Sequence, residues 1–233
     1  GVTVEKAEGY YFDQGRRVDV VDLPGIFSLT AEAPDERIAR SFLTGRPPDL
    51  IVNVVDASNL RRNLYLTVQL IETGLPVLLV LNMTDIADRT GISIDADKIS
   101  AALGVDVIGV SAGSGAGMDA LRGAISKSAG RSFRPSTVVT EAFDAAVVGA
   151  INDLERTLGP GEVRDAGDSG TRCVSARWMA IRLLEGDSEV RDFVLKAFPD
   201  ALDILRRADC AAGDVQGTFG QPAEVVLAEM RRG

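Results

Sequence analysis

Three mostly apolar runs constrain the fold more than any other feature of this 233-residue chain. They cover Leu50–Val55, Pro76–Leu81 and Val105–Val110, and segments with helical periodicity lie between them. A strand that is apolar on both sides is buried on both faces, which is typical of a parallel sheet covered by helices. The sequence therefore predicts an α/β fold whose ligands bind beyond the carboxyl ends of the strands.

The remaining elements of the first part follow from periodicity and turn residues. Val2–Phe12 and Arg16–Asp22 are predicted strands around a turn, so they could form a hairpin that adds one antiparallel edge to the sheet. The predicted helices of this part are Asp35–Leu43, Asn59–Thr73, Asp95–Leu103 and Met118–Ser126.

The pattern changes after a predicted linker at residues 128–137, and no convincing strand follows. The predicted helices of the second part are Glu141–Leu158, Thr171–Leu184, Glu189–Ala197, Asp200–Ala208 and Gln221–Arg231. We therefore expect two domains, an α/β domain over residues 1–131 and an all-α helical domain over residues 132–233.

Composition excludes several classes of function. The formal charge of −9 argues against a nucleic-acid partner. There is no His, and Cys173 and Cys210 form no metal-binding spacing, so zinc, haem and iron–sulfur sites lack ligands. Both thiols are expected to be buried, free and kept in a reducing cytosol. The longest apolar stretch, Leu75–Leu81, is far shorter than the roughly 20 residues of a membrane helix, so this portion is expected to be soluble.

Three short polar motifs stand at predicted strand ends, as a guanine-nucleotide site requires. The carboxylate that begins Asp22–Gly25 (DLPG) can hold Mg²⁺, and the glycine N–H can reach the γ-phosphate. In Asn82–Asp85 (NMTD), the amide can reach the O6/N7 edge of guanine, and the carboxylate can accept from N1–H and the 2-amino group. In Ser111–Gly113 (SAG), the backbone N–H of Ala112 can serve guanine O6.

The chain also holds a second N-x-x-D string, at Asn53–Asp56, and further D-x-x-G strings. Such short motifs therefore occur by chance, and one match alone is weak evidence of a nucleotide site. Asn53 falls inside an apolar run, so its side chain is expected to face a helix layer, whereas Asn82 comes where its run ends. Without function, these motifs would be strand-end turns chosen for backbone geometry.

Longer strings resemble the ferrous iron transport protein B family, whose members are bacterial Fe²⁺ permeases with a cytosolic G-domain. The strings are GVTVEKAEG, VDLPGIFSLT, DLIVNVVDASNLRRNLYLTVQLIETGLPVLLVLNMTDIA and ARWMAIRLLEGD. The last belongs to the family's helical domain, which is described as stabilising the GDP-bound form. The resemblance implies an incomplete Ras-like P-loop G-domain followed by the all-α helical domain.

The resemblance also assigns residues to GTP or GDP and to Mg²⁺. Thr3 matches the switch I threonine, so Thr3 and Asp22 are the expected Mg²⁺ ligands. The residues expected to bind the nucleotide are Gly1, Val2, Thr3, Val4, Asp22, Leu23, Pro24, Gly25, Asn82, Met83, Thr84, Asp85, Ser111, Ala112 and Gly113.

Two departures from the family pattern carry expectations of their own. The sequence contains no G-x-x-x-x-G-K-[ST] phosphate loop, so we expect a G-domain that lacks its N-terminal strand, this loop and the first helix. Losing three or more charge-assisted contacts of about 1.5–3 kcal/mol each should leave GTP bound poorly. Ile26 follows the D-x-x-G glycine where Ras-like enzymes have Gln, so hydrolysis is expected to be slow.

The expected function is therefore the GTP-binding, slowly hydrolysing regulatory part of a bacterial ferrous iron transporter. Its partner would be the membrane permease domain of the same polypeptide, at the cytoplasmic face of the cell membrane, and a homo-oligomer could also form. Two alternatives stay open: a soluble Era-like GTPase of ribosome assembly, and a nucleotide-free interaction module. The net charge argues against the first, and the intact Asn82 and Asp85 argue against the second.

Overall fold

The structure is a computed structural model that describes residues 7–30, 33–128, 143–159, 162–163 and 174–232. The strands of the first part are β1 (Ala7–Asp13), β2 (Arg16–Asp22), β3 (Ile51–Asp56), β4 (Val77–Asn82) and β5 (Asp106–Gly109). Its helices are α1 (Pro34–Gly45), α2 (Leu60–Glu72), α3 (Thr84–Arg89), α4 (Ala96–Leu103) and α5 (Met118–Ser128). The predicted elements are present near their expected limits where the structure describes them, but residues 2–6 of the first predicted strand lie outside the described residues and α3 was not predicted.

The second part is helical with one small exception. Its helices are α6 (Ala145–Leu158), α7 (Ala176–Leu184), α8 (Ser188–Ala197), α9 (Ala201–Phe219) and α10 (Ala223–Met230). Two-residue strands, β6 (Glu162–Val163) and β7 (Val174–Ser175), pair antiparallel, so the prediction that no strand follows the linker was wrong in this detail. The predicted helix Thr171–Leu184 begins only at Ala176, and its first three residues lie outside the described part of the chain. Helix α9 also continues well past its predicted end at Ala208.

The main sheet has the order β3-β4-β5, and all three strands are parallel as predicted. Strand β4 is central and buried on both faces. Leu79 and Leu81 share a core with Ile71 of α2, whereas Leu78 and Val80 face α5. The parallel register brings the carboxyl ends of the strands to one edge of the sheet.

Strands β1 and β2 form the predicted hairpin, which turns at Gly15 with φ +80°. Among the described residues, however, the hairpin is a separate two-stranded sheet with no strand pairing to β3, β4 or β5. The expectation that it adds an edge to the main sheet was therefore wrong for this part of the chain. Its tip lies beside the end of α5, where the Ser126 hydroxyl contacts the Asp13 carboxylate.

The helical part has a core of its own, and side-chain caps fix where several of its helices begin. Ser175 caps α7, and Asp187 caps α8. Trp178 is 3% exposed and packs inside this core. Cys210 is exposed, so its predicted burial was wrong, and Cys173 lies outside the described residues. None of the described helices has the length and apolar character needed to span a bilayer.

A buried cluster of four charged side chains joins the two parts. Arg231, after α10, donates from Nε and Nη2 to the Glu72 carboxylate at 2.8 and 3.0 Å, and also contacts Glu185. Arg182 Nη1 lies 2.9 Å from Glu185 Oε2. Burial acts to lower the pKa of Arg231, but the attraction of Glu72 and Glu185 outweighs it and the pKa is raised. Burial lowers the pKa of Arg182, which is less well paired.

A second ion pair joins helix α1 to the helical part. Arg40 donates from Nη1 and Nη2 to the Asp187 carboxylate at 2.5 and 2.8 Å, and the two side chains are 4% and 9% exposed. The same carboxylate accepts from the Val190 N–H and so caps α8. The Arg40 guanidinium also lies over the Trp178 ring, 5.3 Å from its centroid. This pair therefore ties α1 to the start of α8.

We predict that Glu72→Ala strongly destabilises the chain. The substitution leaves two buried guanidinium groups facing one carboxylate, and removing one partner of a buried ion pair costs about 3–5 kcal/mol. Urea unfolding followed by Trp178 fluorescence measures this loss. Asp203→Ala, which breaks exposed ion pairs on α9, is the matched control and should leave the midpoint nearly unchanged. Equal, small shifts for both variants would contradict the prediction.

Candidate functional site

Polar side chains from two neighbouring strand ends meet at the carboxyl edge of the main sheet. Asn82 ends β4, and its Oδ1 accepts from the N–H of Met83 at 2.9 Å and from that of Ala112 at 3.1 Å. The second bond links β4 to the loop after β5. The Ala112 N–H, which was expected to donate to guanine O6, donates to Asn82 Oδ1 in this structure. The Nδ2 donor of Asn82 lies on the opposite side of the same amide.

The turn between β4 and α3 is anchored to the end of β5. Both the N–H and the hydroxyl of Thr84 donate to the Val110 carbonyl, at 3.2 and 3.1 Å. Met83 adopts φ +61°, a left-handed conformation that is uncommon for a residue with a side chain. Its side chain is 42% exposed at this edge. The turn therefore holds Met83 in a strained but fixed position beside Asn82.

Asp85 lies in the first turn of α3 with both carboxylate oxygens engaged. Oδ1 accepts from the Ser111 hydroxyl at 2.6 Å, and Oδ2 accepts from Arg89 Nη2 at 2.8 Å. The Ser111 hydrogen bond, opposed by desolvation and assisted by Arg89, lowers the pKa of Asp85 below its ordinary value. Ser111 is 5% exposed, whereas the Asp85 side chain is 48% exposed. The carboxylate is thus ionised, oriented and open to solvent.

The loop after β5 depends on a glycine outside the three predicted nucleotide motifs. Gly117 has φ +79°, and a Cβ there would lie only 2.4 Å from the Gly109 carbonyl oxygen. The loop folds back on itself through the pairing of Ser111 with Ala116. Gly113 is exposed on the loop. The repeated glycines in GSGAG, residues 113–117, are the sequence signal that could have indicated this tight return.

The segment just after Asp22–Gly25 approaches the same edge of the sheet through Phe27. Helix α2 begins beside the end of β3, and Arg62 in its first turn lies over the Phe27 ring at 4.2 Å. The segment immediately after Gly25 therefore lies at the carboxyl edge as well. Asp22 itself is exposed at the end of β2. Gly1, Val2, Thr3 and Val4 lie outside the described residues.

The residues after Gly25 are pinned to two helices. Leu29 is 1% exposed, and its N–H donates to Gln69 Oε1 of α2 at 2.8 Å. The Ser28 and Thr30 hydroxyls donate to the Glu36 carboxylate of α1 at 2.7 and 3.0 Å. Ile26, just ahead of these residues, packs against the core under the sheet. This segment is therefore mechanically connected to α1.

The structure thus joins Asp85 to Ser111 and Asn82 to Ala112 by direct hydrogen bonds, and it places Phe27, two residues after Gly25, near the same edge. The decoy Asn53 is buried and donates to the Thr67 hydroxyl of α2 at 2.9 Å, so its predicted contact with a helix layer is confirmed.

The described residues fit Mg²⁺ only as a partly protein-bound ion. No group of three or more His, Cys, Asp or Glu side chains that could hold a metal is found in the part of the chain that the structure describes. Asp22 offers one exposed carboxylate. Mg²⁺ is commonly held by one or two carboxylates together with substrate phosphates and water, so Asp22 fits such a role.

Two protein-family models match the chain. The model described as "Ferrous iron transport protein B" matches residues 1–125, and the model described as "FeoB cytosolic helical domain" matches residues 143–233. Among solved structures, NFeoB from S. thermophilus bound to GDP·AlF₄⁻ and K⁺ is 34% identical, with a TM-score of 0.76, and the match covers 100% of this chain and 84% of that one. The cytosolic domain of L. pneumophila FeoB is 33% identical, with a TM-score of 0.74, and covers 100% and 82%.

Curated relatives agree with these matches. The Fe(2+) transporter FeoB of Escherichia coli K12 is 37% identical over 201 residues, which cover 84% of this chain and 24% of the relative. A Fe(2+) transport protein A/Fe(2+) transporter FeoB fusion protein of Porphyromonas gingivalis is 34% identical over 244 residues, which cover 100% of this chain and 27% of the relative. The chain thus spans about a quarter of these relatives' length. On the family models and the solved structures together, it belongs to the ferrous iron transport protein B family.

Proposed function

We propose that this chain is the guanine-nucleotide-binding regulatory part of a bacterial ferrous iron membrane transporter. The observation that carries the proposal is the cluster at the carboxyl edge, in which Ser111 and Ala112 are hydrogen-bonded to Asp85 and Asn82. Similarity to NFeoB bound to GDP·AlF₄⁻ supports it. The family membership argues against the Era-like alternative, and the oriented, ionised Asp85 argues against a nucleotide-free module.

The cluster has the chemistry that distinguishes guanine from adenine. The Asp85 carboxylate only accepts hydrogen bonds, and guanine presents two adjacent donors, N1–H and the 2-amino group, where adenine has no such pair. The Nδ2 donor of Asn82 is free to reach the O6/N7 edge because Oδ1 is occupied by backbone N–H groups. Exposed Met83 offers an apolar surface for the base.

For the phosphates, we propose Asp22 as a Mg²⁺ ligand together with Thr3, and the Gly25 N–H as a γ-phosphate donor. The remaining proposed nucleotide contacts come from Gly1, Val2, Val4, Leu23, Pro24, Thr84 and Gly113. The sequence has no Gly-rich phosphate loop, so base recognition should dominate and binding should be weak and guanine-selective. Ile26 cannot orient a water molecule, which is consistent with slow hydrolysis of GTP.

The contacts after Gly25 give a route by which nucleotide state could reach the rest of the molecule. Glu36 ties the segment to α1, and Arg40 of the same helix ties α1 to Asp187 of the helical part. We propose a G-domain over residues 1–131 that acts on a helical domain over residues 132–233. The helical domain would pass the change to a membrane permease domain of the same polypeptide at the cytoplasmic face of the cell membrane.

We predict that Asp85→Asn changes base preference from guanine to xanthine. The introduced amide can donate to the 2-oxo group of xanthine but loses an acceptor for the 2-amino group of guanine. Amide chemical shifts of ¹⁵N-labelled protein, followed during titration with GDP, XDP and ADP at millimolar concentrations, measure the preference.

The wild-type chain should respond to GDP and not to ADP, whereas the variant should respond to XDP at least tenfold more readily than to GDP. Asp88→Asn, on the exposed side of the same short helix, is the matched control and should keep the wild-type order. Equal responses to GDP and ADP in the wild-type chain would refute guanine recognition at this edge.

A second prediction concerns the route through α1. Asp187→Asn keeps a side chain that can cap α8 but removes the charge opposite buried Arg40. The variant loses a charge-assisted interaction worth about 1.5–3 kcal/mol and leaves Arg40 only the more distant Glu189 carboxylate, 3.6 Å from its Nε, so we expect amide hydrogen exchange in α1 and residues 26–30 to accelerate about 10- to 100-fold.

Hydrogen-exchange mass spectrometry measures this change segment by segment. Asp209→Asn weakens the exposed Arg191–Asp209 pair within the helical part and is the control, for which exchange in α1 should stay at the wild-type rate. Unchanged exchange in α1 of the Asp187→Asn variant would show that the Arg40 pair does not restrain this helix.

A further inference from the structure

Arg89 contacts both the main chain and the side chain of Asp85. Its Nη2 donates to Asp85 Oδ2 at 2.8 Å, and its Nε donates to the Asp85 carbonyl oxygen at 3.1 Å. The four-residue spacing places both side chains on one face of α3. One planar guanidinium thus fixes the carboxylate relative to its own backbone, which a single flexible ammonium group could not do as well.

The Asp85 carboxylate has as many vacant acceptor positions as guanine has adjacent donors. Its two oxygens offer about four acceptor positions. Ser111 occupies one on Oδ1 and Arg89 occupies one on Oδ2, which leaves one on each oxygen. Guanine has two adjacent donors, N1–H and the 2-amino group, so the vacant positions match this edge. Without Arg89, the Ser111 hydrogen bond alone would restrain rotation of the carboxylate about its Cβ–Cγ bond, so both vacant acceptor positions would be less well directed.

We propose that Arg89 is a positioning residue for guanine specificity, because it orients Asp85 Oδ2 toward the second donor of the base. This inference rests on the proposed function and concerns a residue outside the nucleotide motifs. Arg89 contacts Asp85 and not the base, and its side chain is 71% exposed. Its contribution therefore depends on orientation and on a solvent-accessible charge that salt can screen.

The test compares GDP with IDP, whose base keeps N1–H and lacks the 2-amino group. The full chain carrying Arg89→Ala should bind GDP about two- to fivefold more weakly than the wild type, while its affinity for IDP should change less. The ratio of the two affinities should therefore fall. Arg89→Lys should restore part of the ratio, and raising the salt concentration should lower the wild-type ratio toward that of Arg89→Ala.

Lys98→Ala is the matched control, because it removes an exposed ion pair with Asp95 on the neighbouring helix α4. It should leave both affinities at their wild-type values. A second readout needs no nucleotide: the carboxyl ¹³C resonance of Asp85 should titrate at a higher pH in Arg89→Ala than in the wild type, since an opposing positive charge is lost.

The outcomes distinguish failure of the proposed role of Arg89 from failure of the proposed guanine-nucleotide binding. An unchanged GDP-to-IDP ratio in Arg89→Ala, with the wild type binding GDP, would overturn the role of Arg89 and leave guanine recognition intact. Tighter GDP binding by the variant would also overturn it, because Arg89 would then compete with the base for Oδ2. No saturable GDP binding by the wild type would overturn the proposed function and this inference together.

Discussion

One side-chain oxygen, Oδ1 of Asn82, holds the candidate site together. It accepts N–H groups from both sides of the gap between β4 and the loop after β5, and Thr84 and Asp85 add further hydrogen bonds across the same gap. Strand pairing ends at Leu81 and Gly109, and beyond that point these side chains add to the last backbone hydrogen bonds between the two segments, from Val110 N–H to Leu81 and from Thr84 N–H to Val110. These hydrogen bonds therefore fix the site beyond the strand ends, where it consists of a turn, the start of α3 and a loop.

Buried ion pairs, and not only apolar contacts, join the two parts of the chain. Ion pairs that are removed from water contribute modestly to stability, because desolvation offsets most of their attraction, but a misaligned pair is costly. The Glu72–Arg231 and Arg40–Asp187 pairs therefore favour one arrangement of the helical part on the sheet. They also divide the attachment into two points, one on α2 and one on α1.

The sequence predicted the parallel strands and the polar residues at their ends, because burial and the ends of apolar runs leave direct patterns. It did not predict α3, since six residues carry too little periodicity and the turn before them begins with a left-handed Met83. Helix α9 continues past Ala208 through Gly213 and Gly217, which lower local helix propensity, because contacts with α6, α7 and α8 outweigh that preference. Arg89 was missed because its role depends on a neighbour in space as well as on spacing.

The connectivity of the two helices that flank the core suggests how a local change at the edge could become a movement of the helical part. Helix α2 is 13 residues long, or about 20 Å, and is fixed at its end by the buried Glu72 cluster. Helix α1 is held to residues 28–30 by Glu36 and to α8 by Arg40. A shift of the segment after Gly25 that breaks the Leu29–Gln69 hydrogen bond would therefore move α1 relative to α2, whose end is fixed at the Glu72 cluster. Because both helices carry an attachment to the helical part, such a shift would tilt that part about the Glu72 cluster and would not displace it as a whole.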